Sequence, residues 1–394
     1  MARFARALLV LTSAAYASGA GASVPCGGDF AAFRDAMAEH ALSQGTDPDL
    51  VRRFFDTVRQ DPAVLRADRA QGIFQLPFVT FARRLISADR LERGRRNAER
   101  YDAIFDRIEA EYGVPRSVLL AFWAFETDFG AVQGDFNTVD ALMTLAHDCR
   151  RPDLFRPQVF AALELYAQGQ LDPERTTGAW AGEVGMVQML PSDILAYGVD
   201  GDGDGRVSLK TSQADALLSG GKMLAGFGWR PGEPWLQEVT VPEGFDWRLS
   251  GLDAPRPAAD WVALGLTARS GVIGPADLSA RLIAPQGRGG PTFLAYPNFD
   301  VYFEWNQSFI YVTTAAYFAT RLAGAPIFDA GTPATGLSEA QMRLLQERLA
   351  ARGHDVGGID GILGAKTRAA VQAEQARLGL PADAWPTPAL LERL

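Results

Sequence analysis

The sequence of 394 residues contains only three histidines and two cysteines, and no apolar run reaches the roughly 18 residues of a membrane-spanning helix. Because histidines are so few and no His-Glu-x-x-His motif is present, a zinc peptidase is disfavoured. The sequence also lacks a Gly-x-Ser-x-Gly elbow and a Gly-x4-Gly-Lys-Ser/Thr loop. Their absence disfavours an α/β-hydrolase and a P-loop nucleotide-binding protein. Basic residues are fewer than acidic ones, with 38 Lys and Arg against 47 Asp and Glu. The net charge of −9 disfavours nucleic acid and anionic membranes as partners.

The N-terminus has the pattern of a secretory signal. Arg3 and Arg6 precede a short apolar stretch, which is followed by a run of small residues. This pattern predicts a signal peptide at 1–22, and therefore a soluble, exported protein of the periplasm. In an oxidising compartment Cys26 and Cys149 can form a disulfide. The alternative is a pair of unrelated buried thiols.

The rest of the chain divides by composition and periodicity. Apolar residues recur three and four apart from residue 29 to about 230, which predicts a mainly helical region that we place at 23–331. A stretch rich in Pro, Gly and Trp inside this region, from about 235 to 300, predicts a small β-containing insert. Residues 332–336 have the composition of a linker with few contacts. Three helical segments in 337–394 predict a second, small domain, so the fold class is mainly α, or α+β.

One glutamate lies among aromatic residues in the helix predicted between residues 115 and 130. Glu126 shares a helix face with three aromatic residues at positions i−4, i−3 and i+3, which are Phe122, Trp123 and Phe129. A carboxyl among rings is hard to ionise, so its pKa should rise and it could serve as a general acid near neutral pH. Carboxylate chemistry in an aromatic-rich protein suits glycoside cleavage. The alternative is a Glu at the solvent edge of a buried helix.

Several ordered segments carry a resemblance to a known family. They are Ala124–Gly130, Gly134–Phe136, Ala141–Ala146, Gly178–Ser192, the Asp/Gly run at 200–205 and Asn306–Tyr311. Together they resemble the membrane-bound lytic murein transglycosylase B family (glycoside hydrolase family 103) over roughly residues 30–325. The resemblance implies a lysozyme-like helical catalytic region.

The resemblance also implies a reaction and its residues. The β-1,4 bond between N-acetylmuramic acid and N-acetylglucosamine would be cleaved without water or a cofactor, leaving a 1,6-anhydro end. Glu126 matches the family's single acid and base, and Gln188 matches a sugar-contacting residue. Asn306 and Tyr311 match a wall of the groove, where Trp305 stands in place of a common Tyr and loses any hydroxyl contact. The alternatives are polar contacts at a helix N-terminus for Gln188, and fold-supporting hydrogen bonds for Asn306 and Tyr311.

Three positions depart from the family's usual residues. Ala179 stands where some members have Ser, while Glu183 and Glu304 are unusually acidic. A second carboxylate near the catalytic one could hold a water and favour a hydrolytic muramidase. We expect instead an ion pair with a nearby Arg. A non-catalytic peptidoglycan-binding scaffold is a further alternative, but a pure binder needs no general acid.

The Asp/Gly run matches the first half of an EF-hand calcium loop. Oxygen ligands at positions 1, 3 and 5 are supplied by Asp200, Asp202 and Asp204, a Gly follows, and Arg206 stands at position 7. Position 12 is Thr, where a bidentate Glu is usual, so Asp215 is the candidate for the closing carboxylate. The run predicts a structural calcium ion or another hard cation. The alternative is an acidic surface turn without metal.

The C-terminal segment resembles the common three-helix peptidoglycan-binding domain. The matching residues include Gly353–Gly357, Asp360–Gly364 and Thr367-Arg368. The resemblance implies glycan strands of peptidoglycan as the partner. His354 stands alone in this segment, and a lone His is more often structural than a ligand.

Overall fold

The computed structural model describes residues 24–70 and 76–394, so the predicted signal peptide at 1–22 lies outside the described residues. Helices dominate and the sheets are small, which confirms the predicted mainly helical fold class. None of the helices in the described ranges combines the length and apolar composition that crossing a bilayer requires.

Among the described residues, the helical part before the insert contains eleven α-helices. The first seven are α1 (Phe30–Ser43), α2 (Pro48–Phe55), α3 (Pro62–Arg69), α4 (Phe78–Leu85), α5 (Ala88–Arg100), α6 (Asp102–Tyr112) and α7 (Arg116–Thr127). The next four are α8 (Thr138–His147), α9 (Pro152–Ala167), α10 (Pro191–Tyr197) and α11 (Gln213–Gly226). A two-stranded antiparallel pair, β1 (Phe136–Asn137) and β2 (Thr177–Gly178), lies among them.

The helix α7 carries Glu126 in its last turn and is almost wholly buried. It begins after Pro115, whose restricted φ suits a helix start. It ends at Thr127, earlier than the predicted stop at Gly130, because Asp128 adopts a left-handed conformation with φ of 53°. The Asp128 carboxylate stabilises that ending by accepting hydrogen bonds from Arg93 (2.7 Å) and Arg90 (3.1 Å).

The insert is built on a five-stranded antiparallel sheet with strand order β4-β6-β7-β3-β5. Its strands are β3 (Leu236–Thr240), β4 (Arg256–Pro257), β5 (Thr267–Ala268), β6 (Ser279–Ile283) and β7 (Thr292–Ala295), and α12 is Ala258–Ala263. In β7 the side chains of Phe293 and Ala295 join the main helical core, while Leu294 joins the insert's own core. Because side chains alternate across a strand, the sheet lies between two cores.

Two helices follow the sheet directly and lead back to the main helical core. They are α13 (Pro297–Trp305) and α14 (Phe309–Leu322), and α14 packs along α7 with Phe318 stacked on Phe125 at 5.2 Å. The helical periodicity of residues 309–322 in the sequence predicts α14 at these bounds. The sheet thereby fixes where α13 starts, and the short turn between the two helices lies beside the end of α7.

The C-terminal domain consists of α15 (Glu339–Ala351), α16 (Ala365–Arg377) and α17 (Pro388–Arg393) around its own apolar cluster. The prediction that residues 332–336 make few contacts is wrong. Thr332 donates a backbone hydrogen bond to Gly289 (2.8 Å), and Trp385 donates from its indole to the carbonyl of Ala334 (2.9 Å). A Cβ on Gly336 would lie 2.7 Å from the Trp385 ring. This glycine therefore permits close packing of the linker against the C-terminal domain.

Cys26 and Cys149 form a disulfide in the structure, with Cα atoms 5.2 Å apart. The backbone N–H of Gly27 also bonds to the carbonyl of His147 (2.8 Å), at the end of α8. These contacts hold the start of the described chain against the helical core. The bond closes a long loop, since the two cysteines are 123 residues apart in sequence.

Replacing both cysteines by serine should therefore lower the free energy of unfolding by about 2–4 kcal/mol, because the unfolded chain is no longer constrained. Urea unfolding of the oxidised protein and of the Cys26→Ser/Cys149→Ser variant measures the difference. A reductant should bring the wild type to the variant's midpoint and leave the variant unchanged. Equal midpoints for the oxidised protein and the variant would contradict the prediction.

Candidate active site

One oxygen of Glu126 receives two hydrogen bonds from the turn between α13 and α14. The indole N–H of Trp305 donates to Oε1 at 3.0 Å, and the hydroxyl of Tyr311 donates to the same oxygen. Trp305 is the last residue of α13 and Tyr311 lies in the first turn of α14. The tertiary fold therefore brings together three of the predicted site residues, and Trp305 supplies a polar contact through its indole.

Aromatic rings hold these donors in place. Phe122 stacks on Trp305 with ring centroids 4.2 Å apart and on Tyr302 at 4.9 Å. The other two rings of the predicted face, Trp123 and Phe129, contact each other edge-on at 5.5 Å. Of the three, Phe122 is the ring that supports a donor to Glu126.

Opposing effects act on the Glu126 carboxyl. Burial raises its pKa, the hydrogen bonds from Tyr311 and Trp305 lower it, and the charge of Glu183 raises it; the net result is a pKa of about 7. Burial also raises the pKa of Tyr311 well above its usual value, so the phenol keeps its proton and remains a donor. Glu126 is therefore protonated in a substantial fraction of molecules at neutral pH, as a general acid must be.

Glu183 does not form the ion pair that we expected with a nearby Arg. No ion pair within 4.0 Å involves it among residues 24–70 and 76–394, and Arg151 pairs instead with the buried Asp68. Burial raises the pKa of the Glu183 carboxyl, and its Oε2 is buried without a protein partner in the described part of the chain. Glu304 is exposed on α13. Of the two unusually acidic positions, Glu183 is therefore the one that acts on the pKa of Glu126.

Gln188 and Asn306 each make an internal hydrogen bond. Gln188 lies in a left-handed conformation, with φ of 54°, and its amide nitrogen donates to the carbonyl of Gly185 at 2.7 Å. The amide oxygen of Asn306 accepts from the backbone of Ser308 at 2.9 Å. The bond of Asn306 matches its fold-supporting alternative, whereas Gln188 bonds to a loop carbonyl and makes no contact at a helix N-terminus. The other polar atom of each side-chain amide has no protein partner within the described ranges. Sugar binding by these two residues stays a prediction.

Thr127 is a supporting residue that the sequence reasoning missed. Its hydroxyl donates to the carbonyl of Met186 at 2.6 Å and accepts from the backbone of Gly130 at 2.9 Å. The contact joins the end of α7 to the hairpin that carries Gln188. Its position directly after Glu126, within the segment that carries the family resemblance, was the available signal.

The acidic loop brings three carboxylates together. Asp200, Asp202 and Asp204 each place one oxygen within 4.8 Å of the others. Asp215 is fully buried, and its oxygens accept backbone N–H bonds from residues 201, 202 and 208. The structure does not bring it into the cluster, because these bonds already engage it beneath the loop. The backbone N–H of Arg206 donates to the carboxylate of Asp204 at 2.9 Å.

A family model described as a transglycosylase SLT domain matches residues 29–320, which is most of the chain. The chain belongs to this transglycosylase family. A second model, for a peptidoglycan binding domain, matches residues 338–394. Both matches confirm the resemblances inferred from the sequence.

Solved and curated relatives of the transglycosylase agree with this assignment. SltB3 from Pseudomonas aeruginosa, solved in complex with NAG-NAM-pentapeptide, is 36% identical with a TM-score of 0.85, over 93% of this chain and 100% of that one. Membrane-bound lytic murein transglycosylase B of Escherichia coli K12 is 27% identical over 282 residues, which are 70% of this chain and 74% of that protein. The E. coli lytic transglycosylase Slt35, solved in complex with calcium, is 25% identical with a TM-score of 0.65, over 76% of this chain and 96% of that one.

The contacts of Glu126 predict opposite pKa changes in two variants of the transglycosylase. Glu183→Gln removes a negative charge and should lower the pKa of Glu126. Tyr311→Phe removes a hydrogen bond to the carboxylate and should raise it. The pKa can be followed by NMR through the carboxyl ¹³C shift, assigned with Glu126→Gln. Shifts of the same sign in the two variants would contradict this account of the site.

Proposed function

We propose that this chain is an exported lytic transglycosylase that cleaves the β-1,4 bond between N-acetylmuramic acid and N-acetylglucosamine of peptidoglycan without water. The observation that carries the proposal is the Glu126 carboxyl, with a pKa of about 7 and two donors on one oxygen. The known relatives, a murein transglycosylase and an enzyme solved with muropeptide ligands, support this choice of substrate.

In the first step Glu126 protonates the glycosidic oxygen as the bond to C1 breaks. In the second, the carboxylate takes the proton of the muramoyl 6-hydroxyl while O6 bonds to C1, which closes the 1,6-anhydro ring. Glu126 thus regains a proton from the 6-hydroxyl, and no water is consumed because O6 is the nucleophile at C1. A single residue acts as acid and then as base, which is most efficient when its pKa lies near the working pH.

The surroundings of Glu126 suit both steps. Burial favours the neutral acid before the bond breaks, because an apolar setting penalises charge. The N–H of Trp305 and the O–H of Tyr311 favour the carboxylate that forms afterwards, since both donate to it. Because these donors share Oε1, Oε2 is left for the proton that moves.

A hydrolytic muramidase is the second candidate, and Glu183 is the observation that favours it. Its buried Oε2 has no protein partner in the described chain and could orient a water. The two reactions differ in their products, because an anhydro end is one water lighter than a hydrolysed end.

Glu126→Gln should lower kcat by about 10²–10⁴-fold, because Gln keeps the shape of the side chain but cannot transfer the proton. Turnover of purified murein, with mass spectrometry of the products, measures both the rate and the kind of end formed. Glu99→Gln is the matched control, because Glu99 is exposed on α5. Near-normal turnover by Glu126→Gln would reject the assignment, and hydrolysed ends from the wild type would favour the muramidase.

For the chain as a whole, we propose a catalytic region at 23–331 and a wall-binding domain at 337–394, joined by 332–336. The separate apolar cluster of the C-terminal domain supports this division. We propose glycan strands as the partner of the domain. Since peptidoglycan lies outside the cytoplasm, the proposal includes export to the periplasm, as the N-terminal pattern predicts.

A calcium ion in the acidic loop forms part of the proposal. Carboxylate oxygens are the ligands that calcium prefers, and Asp200, Asp202 and Asp204 are close enough to share an ion. The ion would offset repulsion among the three carboxylates. It would act on stability, because the site residues proposed for catalysis lie elsewhere in the fold.

Calcium should therefore raise the melting temperature. An ion that binds only the folded state adds about 2.7 kcal/mol at a concentration 100-fold above its Kd. Asp202→Ala should abolish the rise, whereas Asp277→Ala, at an exposed position outside the loop, should retain it. Melting curves with calcium and with a chelator test this. Identical wild-type curves in both would show that the loop is only a turn.

A further inference from the structure

Arg368 connects the C-terminal domain to the catalytic region. It lies in the first turn of α16, and its Nη2 donates to the carbonyl of Pro285 in the insert at 2.6 Å. Its guanidinium carbon lies 4.3 Å from the centre of the Phe309 ring and 6.0 Å from that of Trp385. A cation over an aromatic face is attracted by the ring's quadrupole, and more strongly where water is excluded.

The charge of Arg368 persists in this setting. Burial lowers the pKa of its guanidinium to about 9, which leaves it protonated at neutral pH. Its Nε is buried without an acceptor in the described part of the chain. Across the domain boundary, the Arg368 side chain therefore makes two main contacts, the hydrogen bond to Pro285 and the ring contact with Phe309.

Phe309 belongs to the turn that supplies both donors to Glu126. It is the first residue of α14, is 3% exposed, and stands between Trp305 and Tyr311. The preceding Ser308 caps the helix by accepting from the backbone of Tyr311 at 3.4 Å. A shift of Phe309 would therefore move the hydroxyl of Tyr311 and the indole of Trp305 relative to the Glu126 carboxyl.

We propose that Arg368 is a positioning residue for the reaction: by holding Phe309, it fixes residues 305–311 and with them the two donors to Glu126. The C-terminal domain is then part of the catalytic unit as well as a wall-binding domain. This inference rests on the proposed function, since it assigns to Arg368 an effect on the same acid and base.

The expected effect is on kcat, because a misplacement of about 1 Å at a catalytic group can cost up to about 100-fold in rate. In the full-length protein, Arg368→Ala should lower kcat on a short soluble peptidoglycan fragment by roughly tenfold. KM should change less than kcat, because Asn306 is the predicted sugar contact within residues 305–311, whereas Gln188 lies on another segment that Arg368 does not hold. A soluble fragment removes any contribution from affinity for intact wall.

Two further variants make the test specific. Arg368→Lys keeps a cation at the ring and should recover part of the lost kcat. Arg377→Ala is the matched control, because Arg377 lies on the same helix but pairs with Glu374 inside the C-terminal domain. It should keep the wild-type kcat. Melting curves of all variants separate a change of rate from a loss of fold.

A double-mutant cycle with Phe309→Leu measures the coupling directly. If Arg368 acts through Phe309, the loss of kcat in the double variant should be close to that of one single variant. Multiplicative losses, or a wild-type kcat in Arg368→Ala, would overturn the inference. The proposed function fails separately, if the wild-type protein releases no anhydro ends from the same fragment.

Discussion

The carboxyl that we propose as acid and base must be stable both with and without its proton, and this constraint organises the site. Glu126 meets it by lying in the last turn of a buried helix while Trp305 and Tyr311 donate to one of its oxygens. An apolar setting alone would favour the neutral acid, and donors alone would favour the carboxylate. A pKa of about 7 results from the balance.

Several separate parts of the chain maintain that balance. The end of α7 is stabilised by Asp128 with its two arginines and by the bond from Thr127 to the hairpin of Gln188. The sheet of the insert, buried on both faces along β7, sets the start of α13 and so the position of Trp305. Because each contact joins segments far apart in sequence, the site depends on the completed fold.

The domain boundary is tighter than its composition indicates. Glycine and proline are usual in flexible linkers, but glycine also allows backbones to approach closely. Here a Cβ on Gly331 would lie 2.2 Å from the carbonyl oxygen of Gly289, and Gly336 lies under the Trp385 ring. The contact of Arg368 with Phe309 then brings the C-terminal domain to the turn beside the Glu126 carboxyl.

Sequence alone determined the features that depend on neighbours along the chain. The helical periodicity predicted α14 at its observed bounds and three helices in the C-terminal segment, and the aromatic residues around Glu126 predicted a raised pKa. Only the tertiary structure decided that Trp305 and Tyr311, 179 and 185 residues away, share one oxygen of Glu126. It also decided that Glu183 forms no ion pair with an arginine among the described residues, and that residues 332–336 are packed. Propensity and periodicity act over a few residues, whereas these contacts depend on how distant segments pack.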